Sequence, residues 1–263
     1  MLEINHKESY KDFGKQFYIY QDIDGDFGSI RMFKDNIFPY NPIKIKNKVI
    51  MDVGSGAGKI LKNILKFSPK KIYSIEPSNA INIAKKNIKS NKIEFLNIKA
   101  ENISLKNKID IAFSIGVIHH IPNAKLAIRK IYESLKVKGQ IIFWVYGYEN
   151  NEKYIFFSNL LRRICLLLPD RILVILSTTL NLLSYSYFIL CKIFNLPLKD
   201  YLNNVFFKCS FKKRTLIIFD QLNPTYVKYY KKKDIKILLK NLNFKSVIIH
   251  NRHNYSWTVI ATK

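Results

Sequence analysis

The chain has 263 residues, enough for one large domain or a domain with a big insertion, and its 48% hydrophobic content supplies an ample core. Its three cysteines (Cys165, Cys191, Cys209) share no Cys-x-x-Cys spacing and sit in apolar surroundings, which argues against a disulfide framework or zinc site and for a reducing compartment. The formal charge of +25 rests on 44 basic residues of which only seven are arginine; they are spread along the chain as a solvated coat that attracts polyanions or an acidic membrane surface at long range, without the clustered stripe of a nucleic-acid site.

Residues Met1–Lys7 lack the apolar core of a signal peptide, so a cytoplasmic location is expected, and no metal. Residues 8–40 crowd Tyr10, Phe13, Phe17, Tyr18, Tyr20, Phe27, Phe33, Phe38 and Tyr40 into a polar, glycine-punctuated stretch, in which Gly14-Lys15-Gln16-Phe17 and Asp24-Gly25-Asp26-Phe27-Gly28 read as turns. A strand over 48–53 then enters Asp52-Val53-Gly54-Ser55-Gly56-Ala57-Gly58, and a helical pattern over 58–67 leaves it. Glycines at such a turn allow a ligand to approach bare peptide groups. The next strand, 71–75, ends in Glu76, which lies 18 residues past Gly58, near the roughly 20-residue spacing at which an acid meets a ribose hydroxyl. The third glycine comes one residue early for the usual nicotinamide fingerprint Gly-x-Gly-x-x-Gly, so another nucleoside cofactor is favoured.

Farther along, Ser78 fits the N-cap of a helix over 78–89, and strands are expected at 92–97, 109–114 and 140–146, with a helix over 123–136 stopped by Gly139. This alternation is that of a doubly wound parallel sheet. His119 and His120 stand just beyond the fourth strand, at the carboxyl edge where such sheets bind ligands, with one of the pair facing the cleft. Histidine has a pKa suited to base catalysis near neutrality, with His120 preferred to His119; shaping the pocket is the plainer role.

Residues 150–215 fall outside the alternating frame. Ile172–Cys191 is uncharged for 20 residues, long enough to cross a bilayer, yet Ser177, Thr178, Asn181 and Ser184 recur on one helical face. A helical lid or dimer face is expected; a membrane-surface contact through 164–198, flanked by Arg162, Arg163, Arg171 and Lys192, is the second reading, and a transmembrane helix the third. After an apolar run at 216–219, Asp220, Gln221 and Asn223 precede the final helix over 232–242 and are candidates for substrate contact; an Asx-type turn set by Pro224 accounts equally for them. Strands over 245–250 and 255–262 close the chain, and Arg252 and His253 at their turn are expected to be remote from chemistry.

Three sets of residues besides Glu76 align in order with one family. The Asp52–Gly58 turn, Ile109-Asp110-Ile111-Ala112-Phe113-Ser114-Ile115-Gly116 leading to His119-His120, and Leu135-Lys136-Val137-Lys138-Gly139-Gln140 resemble motifs of the class I S-adenosylmethionine-dependent methyltransferases over about residues 48–147. The resemblance implies an α/β fold with a doubly wound, seven-stranded, mostly parallel sheet whose last two strands are antiparallel, and a helical insertion after strand 5. It divides the chain into an N-terminal aromatic cap segment (1–47), a cofactor-binding core (48–149), a helical substrate cap (150–215) and a C-terminal completion of the sheet (216–263).

The cofactor implied is S-adenosyl-L-methionine, held by Asp52, Gly54, Ser55, Gly56, Gly58 and Glu76, with Ala100 and Glu101 near the adenine and Ser114 and Gly116 along the methionine side. Lys99 stands where many relatives carry an acid. In such enzymes an N-terminal segment folds over the cofactor; here a strap packed on the sheet is the alternative. The expected reaction is methyl transfer to an oxygen or nitrogen of a small molecule. A lipid or lipid-linked acceptor and a non-catalytic binder of the same cofactor are the alternatives. Nucleic acid is disfavoured, because Ser114-Ile115-Gly116-Val117 replaces the Asn/Asp-Pro-Pro-aromatic signature of base-amine methylation.

Overall fold

Short apolar runs rich in Ile, Val and Phe, bounded by turn residues, give strands β1 (Val49–Val53), β2 (Lys71–Ile75), β3 (Ile93–Leu96), β4 (Ile109–Ile115), β5 (Leu135–Tyr146), β6 (Ser246–Arg252) and β7 (Ser256–Thr262). The structure, a computed structural model, describes residues 9–19 and 28–263. Its sheet has the order β3-β2-β1-β4-β5-β7-β6. The first five strands are parallel, while β7 runs antiparallel to both β5 and β6. This is the doubly wound fold expected, reversing direction between β1 and β4, where open α/β sheets leave a crevice at their carboxyl edge.

The helices are α1 (Ser9–Ile19), α2 (Ile30–Ile37), α3 (Lys59–Leu65), α4 (Ala80–Asn87), α5 (Ala124–Ser134), α6 (Glu152–Cys165), α7 (Asp170–Ile193), α8 (Lys199–Asn204), α9 (Phe211–Leu222) and α10 (Lys232–Lys240). Strand alternation sends Met51 and Val53 into one core with Ile128 and Ile131 of α5 and Ile235 of α10. Ile50 and Phe113 point the other way, into a core with Phe33 and Ile37 of α2 and Leu61 and Ile64 of α3. The sheet is thus covered on both faces, as its continuous apolar strands require.

Several local expectations differ. Gly14-Lys15-Gln16-Phe17 lies inside α1 rather than at a turn: Gly14 is buried, and a Cβ there would stand 3.0 Å from Ser78 Cβ, so the glycine serves close packing. Tyr20, the Asp24–Phe27 part of the second turn and the side chains of Phe17 and Tyr18 lie outside the described residues. Helix α5 ends at Ser134, and the chain is already extended at Leu135, ahead of Gly139. Ser78 Oγ accepts from Ala80 N–H at 3.2 Å, one position before the cap residue Asn79. Helix α9 runs across the boundary expected at 215/216, so the helical cap extends to Leu222.

Helix α7 buries Ser177 and Asn181 alongside Leu173 and Cys191 and leaves a broad apolar face outward. Asn181 Nδ2 donates to Phe211 O and Thr215 Oγ1 of α9 at 2.9 Å each. Asn181 Oδ1 accepts from Arg214 Nε at 3.1 Å. The apolar side chains Ile175, Leu182, Leu183, Ile189 and Ile193 face outward.

Candidate active site

The turn after β1 depends on its glycines. Gly54 (φ +77°) and Gly58 (φ +94°) hold left-handed backbone that an L side chain resists. A Cβ on Gly54 would lie 2.3 Å from Val117 Cγ2, and one on Gly58 2.5 Å from Ile88 Cδ1. Gly54 N–H and Ser55 N–H donate to Ile75 O at 2.8 and 3.2 Å, fixing the turn to the end of β2. There Glu76 Oε2 accepts from Gly56 N–H and Oε1 from Ser78 N–H, both at 2.9 Å. Burial raises the Glu76 pKa, and hydrogen bonds from the Ser78 hydroxyl and from these two backbone groups pull it back. With the Ser78 hydroxyl also donating to the carboxylate, one of its four lone-pair sites is left to accept from a ribose hydroxyl.

A cavity of about 780 Å³ opens from this turn, within the range that holds a cofactor together with a small second ligand. Of the predicted cofactor contacts, Gly54, Ser55, Gly56, Glu76, Ala100 and Glu101 line it, as does Gly116. Asp52, Gly58 and Ser114 do not line it. Ser114 Oγ is turned to Val53 O at 3.3 Å, inside the sheet. Asp52 points to the same side of β1 as Ile50 and is buried with Oδ2 unpartnered. Burial, reinforced by the charge of Glu76, pushes its carboxyl up to about 8. The glycine cradle and the bidentate Glu76 thus fit the nucleoside of S-adenosylmethionine.

The far part of the cavity is roofed by α1 and the cap. Tyr10, Phe13 and Gln16 enter from α1, so this stretch of the N-terminal segment covers the site as well as packing on the fold. Asp12 fixes the helix there, its Oδ2 accepting from Thr225 N–H at 3.0 Å and Thr225 Oγ1 at 2.9 Å. Helix α6 contributes Tyr154, Phe157 and Leu161; α7 contributes Leu180 and Ser184; α9 contributes Ile217, Asp220 and Gln221. Trp144, Tyr146, Tyr229 and Tyr255 complete an aromatic wall. Gln221 ties that wall together, donating from Nε2 to Tyr146 Oη at 2.5 Å and accepting from Tyr154 Oη at 3.2 Å. Arg162 turns inward to donate to Gln221 O at 2.8 Å and Tyr229 Oη at 3.1 Å, contrary to its expected place on a surface flank.

The two histidines separate. His120 lines the cavity, with the Phe13 ring 4.6 Å away centroid to centroid. Its Nδ1 is 3.0 Å from Tyr226 O; a carbonyl only accepts, so Nδ1 carries the proton and Nε2 is left basic. Burial, aided by the Arg162 charge, brings its pKa down to about 4, so the ring is neutral at physiological pH. His119, also expected as a catalytic candidate, is fully buried against Tyr146 (centroids 4.1 Å) and Trp144 (5.8 Å) and does not line the cavity. The tight 3₁₀ turn Ile118–His120 sends adjacent side chains in different directions, and this one goes into the core.

Among the predicted substrate contacts, Asp220 accepts a short hydrogen bond from Gln16 Nε2. Burial pushes its carboxyl up to about 6, restrained by the nearby Lys59 charge. Asn223 lies outside the cavity, because it closes the C-terminal end of α9 and its Nδ2 reaches Asp12 O at 3.4 Å. The β6–β7 turn was expected to be remote, yet antiparallel β7 begins where β5 ends, which brings Tyr255 into the cavity wall. Arg252 itself is buried and bound to Asp35 of α2 and to Tyr255, and His253 Nε2 lies 3.1 Å from Asp35 Oδ1; the pair pins α2 to the sheet. Sequence reasoning missed Gln16 as a cavity residue and the part of the wall made by Trp144, Tyr146 and Tyr154. The one available signal was the crowding of aromatic residues at the end of β5 and in the segments that follow it.

Comparison with known proteins bears on the domain and the fold. Residues 51–143 match the family described as a methyltransferase domain. Among curated proteins, a tRNA U34 carboxymethyltransferase of Helicobacter pylori (strain P12) is 28% identical over 109 residues, covering 39% of this chain and 42% of that protein. One from Nautilia profundicola is 27% identical over 115 residues, covering 42% and 38%. The chain thus spans only about two fifths of the length of these curated relatives. Among solved structures, an S-adenosyl-L-methionine-dependent methyltransferase from Methanococcus maripaludis superposes with a TM-score of 0.57 at 17% identity, covering 97% of this chain and 94% of that one. A SAM-dependent methyltransferase from Thermotoga maritima gives 0.54 at 13% identity, covering 97% and 99%. Residues 51–143 are thus a methyltransferase domain, the chain has the fold of the class I S-adenosylmethionine-dependent methyltransferases, and domain and fold imply S-adenosylmethionine as the cofactor.

Proposed function

We propose that this protein methylates an oxygen or nitrogen atom of a small, largely apolar acceptor. The cofactor supplies an electrophilic methyl group on a sulfonium, so the protein's task is to align an acceptor with it and exclude water. The observation that carries the reading is the single cavity joining the glycine turn and Glu76 to a chamber walled by Trp144, Tyr146, Tyr154 and Phe157. Aromatic walls with a few fixed polar groups are how proteins hold apolar small molecules. In that chamber Asp220, ionised above about pH 6, takes the proton of an acceptor hydroxyl or ammonium. Neutral His120 accepts a hydrogen bond through Nε2 and orients the acceptor.

A tRNA acceptor is the second reading, supported by the names of the curated relatives and by the +25 charge. The chamber does not favour it: its roof is apolar, and the buried Arg162 is committed to Gln221, Tyr229 and Asn159. Calorimetric titration with S-adenosylhomocysteine, followed by transfer of a tritiated methyl group to small-molecule extracts, lipids and bulk tRNA, tests both parts. Saturable binding with label in an apolar small-molecule fraction is expected. Label in tRNA overturns the acceptor class, and absence of binding overturns the whole reading.

A further inference from the structure

Helices α6 and α7 present to solvent the faces that water-soluble proteins bury. On α6 the buried positions include Ser158 and Arg162, whereas Phe156, Phe157, Leu160 and Ile164 are exposed, Phe157 at 66%. On α7 the buried positions include Ser177 and Asn181, whereas Ile175 (66%), Leu182, Leu183, Ile189 and Ile193 (70%) are exposed. The connection between the helices adds Leu167, exposed at 85%. Both helices rest on α9, through Arg162 to Gln221 and through Asn181 to Phe211 and Thr215. Helix α7 also packs Leu173, Leu176 and Leu180 inward with Phe219 and Leu222 of α9, so it is apolar on both sides, and an outer face this apolar is matched to an apolar surrounding.

Two surroundings satisfy that pattern, a second copy of the chain or a lipid surface, and charge separates them. Residues 150–215 carry ten Lys or Arg against three Asp or Glu, and exposed Arg163, Arg171 and Lys192 stand at the ends of the two helices. An isologous pairing sets the same patch against itself and opposes these like charges, whereas an anionic headgroup layer meets them. Helix α7 is long and apolar enough to cross a membrane by length and composition. Its hydrogen bonds to α9 hold it against the protein, so it lies in the plane of the interface.

We propose that the outward face of α6 and α7 docks the protein on an anionic lipid bilayer, with the aliphatic side chains in the acyl boundary and Arg163, Arg171 and Lys192 at headgroup phosphates. Phe157 belongs both to this face and to the cavity wall, so the docked surface adjoins the chamber. The docking does not rest on the catalytic reading: S-adenosylhomocysteine titration without vesicles tests that reading separately.

The test is flotation of the full chain with vesicles of phosphatidylcholine alone and of phosphatidylcholine mixed with phosphatidylglycerol. Partitioning into the mixed vesicles, weakened by salt, is expected. The triple variant Ile175→Gln/Leu182→Gln/Ile189→Gln, altered only at exposed positions, should lose flotation while keeping wild-type affinity for S-adenosylhomocysteine. The neutralised variant Arg163→Gln/Arg171→Gln/Lys192→Gln should weaken partitioning on the order of 100-fold, from roughly fivefold per basic residue at an anionic surface. Undiminished flotation of the triple variant, equal binding to both vesicle types, or a dimer that the triple variant dissociates with no vesicle binding, would each overturn the proposal.

Discussion

Replacing Glu76 with alanine removes one carboxylate that does two things. It accepts from Gly56 N–H and Ser78 N–H at 2.9 Å each, holding the glycine turn to the end of β2, and it presents its remaining lone pair to the cavity. Net hydrogen bonds to a charged group contribute about 1.5–3 kcal/mol. Because water can enter the space vacated beside the cavity, the two backbone N–H groups are partly re-satisfied. The loss therefore falls mainly on the bound ribose, at about 2–3 kcal/mol, or roughly 30- to 150-fold in Kd. Isothermal titration with S-adenosylhomocysteine, well below the melting transition of the variant, measures this directly. An affinity within about threefold of wild type in a folded Glu76→Ala protein would refute the assignment of this acid to the ribose.

The remaining predictions concern protons and the cap. With Asp220 as the proton acceptor, kcat/KM should climb as pH rises toward about 6 and flatten above it, because only the ionised carboxylate is active. Asp220→Asn should abolish that limb and lower kcat by on the order of 10²–10⁴; a limb centred near 4 in the wild type would point to His120 instead. Asp52 has its folded pKa raised to about 8, above the unfolded value, so the folded state holds the extra proton between the two. Stability should therefore fall as pH rises from about 4 to about 8, by at most about 1.4 kcal/mol per pH unit. Urea unfolding of Asp52→Asn should show a flatter profile across that window. Asn181→Leu leaves Thr215 Oγ1, Phe211 O and Arg214 Nε without their shared partner between α7 and α9, and chemical denaturation should register a loss of about 2–4 kcal/mol.

The legibility of the fold and of the site followed the range of the forces involved. The glycine turn and Glu76 could be read in order because their roles are set by backbone geometry over a few residues: left-handed φ at Gly54 and Gly58, then an acid at the end of the next strand. Strand alternation and continuous apolar runs likewise fix a two-faced sheet before any long-range contact is known. The acceptor chamber was not legible in this way. Gln16 meets Asp220 across 204 positions of sequence, and Asp12 meets Thr225 across 213, pairings that no local pattern announces.

The residues by themselves determined the parallel core, the cofactor turn and the existence of a long, weakly polar helix after β5. Only the tertiary structure decided which histidine faces the cavity, since a one-residue step through a 3₁₀ turn sends His119 into the core and His120 to the ligand. The same holds for the orientation of α7. Its sequence carries a polar stripe and an apolar stripe but does not say which is inside. The hydrogen-bonding groups of α9, Thr215 and Arg214 among them, draw Asn181 inward and leave the aliphatic side chains to whatever apolar medium they meet. A polar group buried without a partner costs more than an exposed isoleucine, and that inequality sets the outcome.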